Sequence, residues 1–321
     1  MTTTSAALRR TSTWNRPLML LVAGMAVLTL ITAIGTVADD RVLTGAPIWL
    51  KPFKFSVSIA LYAFTLAWML SLLPRRSRLV ERAATVIVGL FVVEMAVIVT
   101  QVIRGQTSHF NETTPLNTVL FNSMGAAIMV VFFAQFLIGL AVLRQRIPDR
   151  VAATGVRFGL GVSLLGMLAA IPMVLPTAEP PVPGISGAHS VGVPDGGAGL
   201  PVVGWSTAGG DYRVGHFIGL HALQALPILA LVLIRFGGRL SERTKVGLLV
   251  VAGLGYAALT VLLSWQAMRG QSLIHPDGLT WAAVAALVAV TGLATAAVIT
   301  SARRHAATAV TTSRDFAGSL P

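Results

Sequence analysis

AATVIVGLFVVEMAVIVTQVI, residues 83–103, holds one ionisable side chain, Glu94, among 21 otherwise uncharged residues. Wound as a helix at about 1.5 Å per residue, such a run crosses a hydrocarbon core of about 30 Å. Seven more apolar runs accompany it, at 17–37, 55–74, 119–143, 154–175, 215–235, 246–267 and 280–301. The expected fold is an all-α integral membrane protein of about eight transmembrane helices. The chain of 321 residues is 55% hydrophobic and 11% charged, less than half the roughly 25% charged residues of a soluble domain. No stretch is left for a separate soluble domain. The start MTTTSAALRRTSTWNR is polar and basic, and the first apolar segment that follows it lacks a clear small-x-small cleavage site, so that segment reads as retained in the membrane.

Charge sets the expected orientation. The links after the second, fourth and sixth segments, RRSRLVER, RQRIPDR and RFGGRLSERTK, are short and basic. The positive-inside rule puts them in the cytoplasm with both termini. Eighteen of the 24 Lys and Arg then lie inside, and six lie outside: Arg41, Lys51, Lys54, Arg104, Arg213 and Arg269. The net charge of +12 is accounted for by topology and excludes no more than it implies; a nucleic-acid partner is not expected. The absence of cysteine excludes disulfides, iron–sulfur clusters, thiolate metal sites and cysteine nucleophiles. The expected localisation is the cell membrane, multi-pass.

Two motifs recur in order. QVIRGQT (101–107) matches QAMRGQS (266–272), pairing Gln101, Arg104, Gly105 and Gln106 with Gln266, Arg269, Gly270 and Gln271. Upstream, KPFKFSVSIALYA (51–63) aligns with RVGHFIGLHALQA (213–225), setting Lys51 against Arg213, Lys54 against His216 and Ile59 against His221. The sequence thus divides into a cytoplasmic tail (1–16), a four-helix repeat (17–150), a second repeat (151–302) with a long outer loop at 176–214, and a cytoplasmic tail (303–321). An even-membered unit repeats in the same orientation, so equivalent residues share a depth. The Gly- and Pro-rich composition of the long loop reads as a spacer.

The candidate chemistry lies toward the outer ends. Five of the six outer cations, Lys51, Lys54, Arg104, Arg213 and Arg269, fall in the repeated motifs. They suit an anionic small-molecule or lipid ligand, or else snorkel to outer phosphates. Glu94, midway along the third segment, is a proton carrier, cation ligand or Arg partner, or a neutral packing group. His109, His216, His221 and His275 could form an outer cluster for haem b, the candidate cofactor, or hydrogen-bond at the boundary. His216 and His221 are about 140° apart around a helix and make a poor metal pair. His189 and His305 look uninvolved. Gln101, Gln106, Gln224, Gln266 and Gln271 are polar support, and Gln135, Asn122 and Ser123 line a cavity or glue helices. Pro172 and Pro227 predict kinks, and Gly155 and Gly159 permit close helix approach. No zinc-protease motif, phosphate-binding glycine loop or serine elbow is present, no catalytic residue stands out, and no metal site is expected.

RGQTSHFNETTP and GDYRVGHFIGLHALQALP resemble segments of uncharacterised bacterial, mainly actinobacterial, membrane proteins. The architecture is also similar to haem A synthase, with eight helices in two halves and histidines near the outer face. That family's paired histidines on even-numbered helices are poorly matched here: beside His216 and His221 on the sixth segment, the second carries Lys54 and Ile59, the fourth and eighth lack histidine, and Glu94 lies on the third. No catalytic residue is carried over. Three functions follow as expectations: a haem-associated redox protein, a proton- or cation-coupled transporter using Glu94, and a non-catalytic lipid- or partner-binding component.

Overall fold

The computed structural model describes residues 14–75, 77–175 and 183–317. Most of the expected N-terminal tail, the start of the long loop at 176–182, and residues 318–321 lie outside the described residues. Eight helices are long and apolar enough to span a membrane, and the chain is an all-α polytopic membrane protein. They are α1 (Arg16–Ala38), α2 (Leu50–Ser71), α3 (Arg78–Ile103), α4 (Pro115–Arg144), α5 (Arg150–Leu168) with a one-turn continuation α6 (Ile171–Val174), α7 (Tyr212–Phe236), α8 (Glu242–Met268) and α9 (Gly278–Ala317). Two short antiparallel hairpins accompany them: β1 (Val42–Leu43) with β2 (Ala46–Pro47), and β3 (Ser190–Val191) with β4 (Gly210–Asp211).

Most helices start a few residues before their apolar runs because a polar cap sets the boundary. Side-chain oxygens of Ser77, Thr114, Asp149, Asp211 and Ser241 accept first-turn N–H groups that would otherwise be orphaned. α2 has no such side-chain cap and starts after Trp49, which puts Lys51 and Lys54 on its first turns. At the far end, α9 continues through much of the expected tail, for 40 residues in all.

In each half the helices pair in the same way. α1 packs on α2 and α3, α2 on α3, and α3 on α4; α5 packs on α7 and α8, α7 on α8, and α8 on α9. The halves meet where α4 touches α5 and α2 touches α7. The most extensive interface joins α5 to α7, and glycine makes it. A Cβ on Gly166 would lie 2.4 Å from the Leu220 nitrogen, and one on Gly219 would lie 2.4 Å from Gly166 Cα. Gly159 faces the ring of Pro227, and Gly155 faces Ala230. In lipid, where apolar surface gains nothing by leaving the tails, such close approach is what drives association. Polar bonds add to it in the bundle interior. Tyr62 Oη donates to Gln135 Oε1 at 2.8 Å, and Gln135 Nε2 donates to Ser163 Oγ at 2.8 Å, tying α2, α4 and α5.

The recurring RGQ motif is a helix terminator. Gly105 and Gly270 adopt φ of 68° and 72° just past α3 and α8. The N–H of Gln106 bonds Gln101 O while that of Gly105 bonds Val102 O; Gln271 to Gln266 and Gly270 to Ala267 repeat the pattern. This is the Schellman arrangement, which satisfies the last carbonyls of a helix. The glutamine side chains complete it: Gln101 Nε2 donates to Thr107 O and Gln266 Nε2 to Ser272 O. The arginines then staple each helix to the next. Arg104 reaches Asn117 on α4 at 2.9 Å, and Arg269 reaches Thr280 on α9 at 3.0 Å and Asp277 at 2.6 Å.

Gly166→Ala should destabilise the protein by about 1–3 kcal/mol, because its methyl group meets backbone rather than a movable side chain. Gly161→Ala, which meets nothing within 4 Å, is the control. Unfolding in mixed micelles with increasing SDS reads both, and equal midpoints would contradict the seam.

Candidate functional site

The links at the end of the bundle where α3 and α8 terminate form a folded cap. The long loop expected to be a spacer is part of it. Glu112 N donates to Gly184 O at 2.7 Å and Ser186 N to Phe110 O at 2.9 Å, joining the 104–114 link to the 183–211 link. The first link joins too: a Cβ on Gly45 would lie 2.4 Å from Gly196 O. Phe110 pins the cap. It holds φ at 60°, a costly backbone for a bulky residue, and buries its ring to 4% exposure. That ring packs on His189 at 4.9 Å and Phe121 at 5.7 Å, leaving no room for a side chain on Gly187.

Next to Phe110, His109 turns down into the bundle. Its Nε2 stands 3.9 Å from Glu94 Oε1, although Glu94 lies nine residues before the end of α3, about 13 Å along the helix. Glu94 is 5% exposed, and its carboxyl group makes no hydrogen bond to a described residue. His109 Nδ1 faces Ser108 Oγ at 3.1 Å, and its ring meets Phe55 of α2 edge-on at 5.8 Å. On Phe55 rests Lys51, its Nζ 5.9 Å from the ring centroid. Burial, aided by the charge of Lys51, holds the His109 imidazole well below its ordinary value. It is therefore neutral at pH 7, and the approach to Glu94 is imidazole to carboxyl rather than an ion pair.

The second half supplies the rest. Asp211, 1% exposed, caps α7 and accepts from Arg213 Nε at 2.9 Å and from Ser206 N at 2.8 Å. Arg213 Nη2 also donates to Gly204 O at 2.6 Å, and Lys54 Nζ to Val203 O at 3.1 Å. Both cations thus meet one turn of the long loop. His189, read from sequence as uninvolved, lies inside this group. Asp195 accepts from its Nδ1 at 2.7 Å and from Ser190 N at 2.8 Å. Burial lowers the His189 imidazole despite Asp195. Burial alone would raise the Asp195 carboxyl, but the bonds from His189 and Ser190 hold it below the usual range. Lys51 lies within electrostatic reach of Glu94, Lys54, Arg213 and Asp195.

The structure therefore sorts the sequence candidates into two sets. Lys51, Lys54, Glu94, His109 and Arg213 gather under the cap. Arg104 and Arg269 are engaged as staples with Gln101, Gln266 and Gln271, and Gln106 accepts from Asn111 at 3.4 Å. Arg41 pairs with Asp39 and donates to Val102 O at the end of α3. His221 is exposed on α7 with Gln224 as its partner at 3.4 Å, and His275 is exposed on the last link. His216 Nδ1 donates to Gly166 O at 2.8 Å, a carbonyl freed where α5 breaks into α6. These four histidines do not present one facing ligand set for a haem, and the cavity beside Asp211, Gln266 and Gln271 is far smaller than a ligand pocket. Among the described residues no three His, Cys, Asp or Glu converge as a metal site. His189, Asp195 and Asp211 were missed because a Gly- and Pro-rich loop carries no periodicity to locate its side chains; the spacing of histidine and aspartate in HSVGVPD was the available signal. Comparison of the chain with family models, curated proteins and solved structures finds no match.

His109 and His189 both sit below 6.5 in the folded cap. As pH drops under about 6.5, the open cap binds more protons than the closed one. The stabilisation present above that pH is then lost on acidification. Hydrogen exchange at 106–112 and 184–191, corrected for intrinsic rate, should quicken between about pH 7.5 and pH 5.5. Unchanged protection would contradict the buried, neutral histidines.

Proposed function

We propose that this protein is a proton-coupled transporter of the cell membrane, in which Glu94 carries the proton and His109 passes it from the cap face. The observation that carries the reading is the buried Glu94 carboxyl, free of hydrogen bonds to described residues and 3.9 Å from a neutral imidazole. An ionised carboxylate at that depth is costly unless a positive charge answers it. Lys51 is within reach to do so. The group thus has two usable states: ionised and facing Lys51, or protonated and uncharged. A neutral imidazole suits the delivery of protons, since one nitrogen accepts while the other donates.

The location supports the same reading. Lys51 and Lys54 come from α2 and Arg213 from α7, so the group lies where the two halves meet. In transporters built of repeats, sites form at that interface. We take the halves as products of duplication, and the cap face as extracytoplasmic with both termini in the cytoplasm, because the short links opposite the cap hold the basic runs.

Difference infrared spectroscopy of the protein in lipid tests the carrier directly. A protonated-carboxyl stretching band should grow as pH falls and be absent from Glu94→Gln. His109→Gln should keep the band but slow its appearance after a pH jump. A band that never titrates, or one that survives Glu94→Gln intact, would remove the proposal.

A further inference from the structure

Three cations and three carboxylates meet under the cap: Lys51, Lys54 and Arg213 with Glu94, Asp195 and Asp211. Two of the acids are committed. Asp211 is held by Arg213, and Asp195 by His189 and two backbone N–H groups. Glu94 alone makes no hydrogen bond to a described residue. The donors divide in the same way. Arg213 spends Nε and Nη2 on Asp211 and Gly204 O, while its Nη1 makes no hydrogen bond to a described residue. Lys54 gives one of its three N–H groups to Val203 O, and Lys51 Nζ, 5.9 Å from the Phe55 ring centroid, makes no hydrogen bond to a described residue.

The spare donors of Lys54 and Arg213 face a common spot. A Cβ on Gly204 would lie 3.9 Å from Lys54 Nζ and 4.0 Å from Arg213 Nη1. Gly204 has φ of 69°, so the turn favours glycine there and leaves the spot free of a side chain. Phe55, half-buried between Lys51 and His109, offers an apolar surface from the same turn of α2 as Lys54.

Resting on the transporter reading, we infer that Lys51, Lys54 and Arg213 bind a small monocarboxylate, one per proton taken up by Glu94. With Glu94 ionised, the six charges cancel. A proton on Glu94 leaves one positive charge in excess, in surroundings where unbalanced charge is expensive. A single negative charge restores neutrality. A dianion would require a second proton, and no other carboxyl in the group is uncommitted. The carboxylate bridges Lys54 and Arg213 through charge-assisted hydrogen bonds, with its organic remainder toward Phe55. The carried species is electroneutral: one acid, delivered as anion and proton at separate groups.

The test uses proteoliposomes loaded with a pH-sensitive dye and supplied with radiolabelled L-lactate, phosphate or sulfate. The expected result is lactate uptake with one proton acidifying the lumen per lactate, and no sulfate uptake. Lys54→Gln should cut the initial rate at low lactate by about tenfold, the loss of one charge-assisted hydrogen bond, while leaving the Glu94 infrared band in place. Lys51→Gln, in the same charged group, should also reduce uptake, whereas Arg104→Gln, outside the group, should reduce it only with protein abundance. Sulfate or phosphate carried in preference to lactate would overturn the inference, as would wild-type lactate uptake in both lysine variants. No uptake of any probe alongside a titrating Glu94 band would overturn the anion site and leave the proton carrier standing. Lactate uptake that continues without protons in Glu94→Gln would do the reverse.

Discussion

Every polar backbone group that this chain takes below the membrane surface must find its partner within the chain, because the hydrocarbon offers none. The helix ends show how this is met. Gly105 and Gly270 close α3 and α8 with Schellman bonds, and Gln101 and Gln266 reach past them to the carbonyls of Thr107 and Ser272. His216 serves the same end inside the bundle, donating to the Gly166 carbonyl where α5 breaks. That bond crosses the seam in which Gly166 and Gly219 let α5 and α7 come together. The close approach and the polar repair depend on each other: a side chain at either glycine would separate the helices and leave the carbonyl unanswered.

The same accounting isolates the residues with something left over. Arg41, Arg104 and Arg269 are occupied at helix ends, and Arg213 is half spent on Asp211. Glu94, Lys51 and Lys54 are less fully engaged, and they stand near one another across α2 and α3. Charges held in low dielectric without full partners are poorly explained as structure, since well-packed apolar residues in place of such a group often leave a protein as stable or more so. The neutral His109 beside Glu94, lowered there by a loop that α3 and α4 anchor, gives the group a route to the cap face.

The recurring motifs were legible as sequence, but their meaning was divided. At the RGQ motif the recurrence is conformational: a left-handed glycine and a glutamine that caps a helix. At the Lys51 and Arg213 positions the recurrence brings like charges from two halves to one place, where the long loop meets both. Composition alone could not separate the two cases, because an arginine that staples helices and an arginine that faces a ligand look alike in a string of residues. The histidines illustrate the same limit. His221 and His275 fall at plausible positions and end exposed, while His189, in a loop without periodicity, is folded into the group by Asp195 and Phe110.

By itself the sequence determined what depends on neighbours within a few turns: eight apolar spans, their caps, the glycines that end α3 and α8, and the depth of Glu94 along its helix. Tertiary structure decided which charges remain open. Lys54 meets a carbonyl 149 residues away, and His216 one 50 residues away. Only packing of α2 against α7 and α5 against α7, with the cap folded over them, sets which polar groups are answered, because a hydrogen bond is won at about 3 Å whatever the distance along the chain.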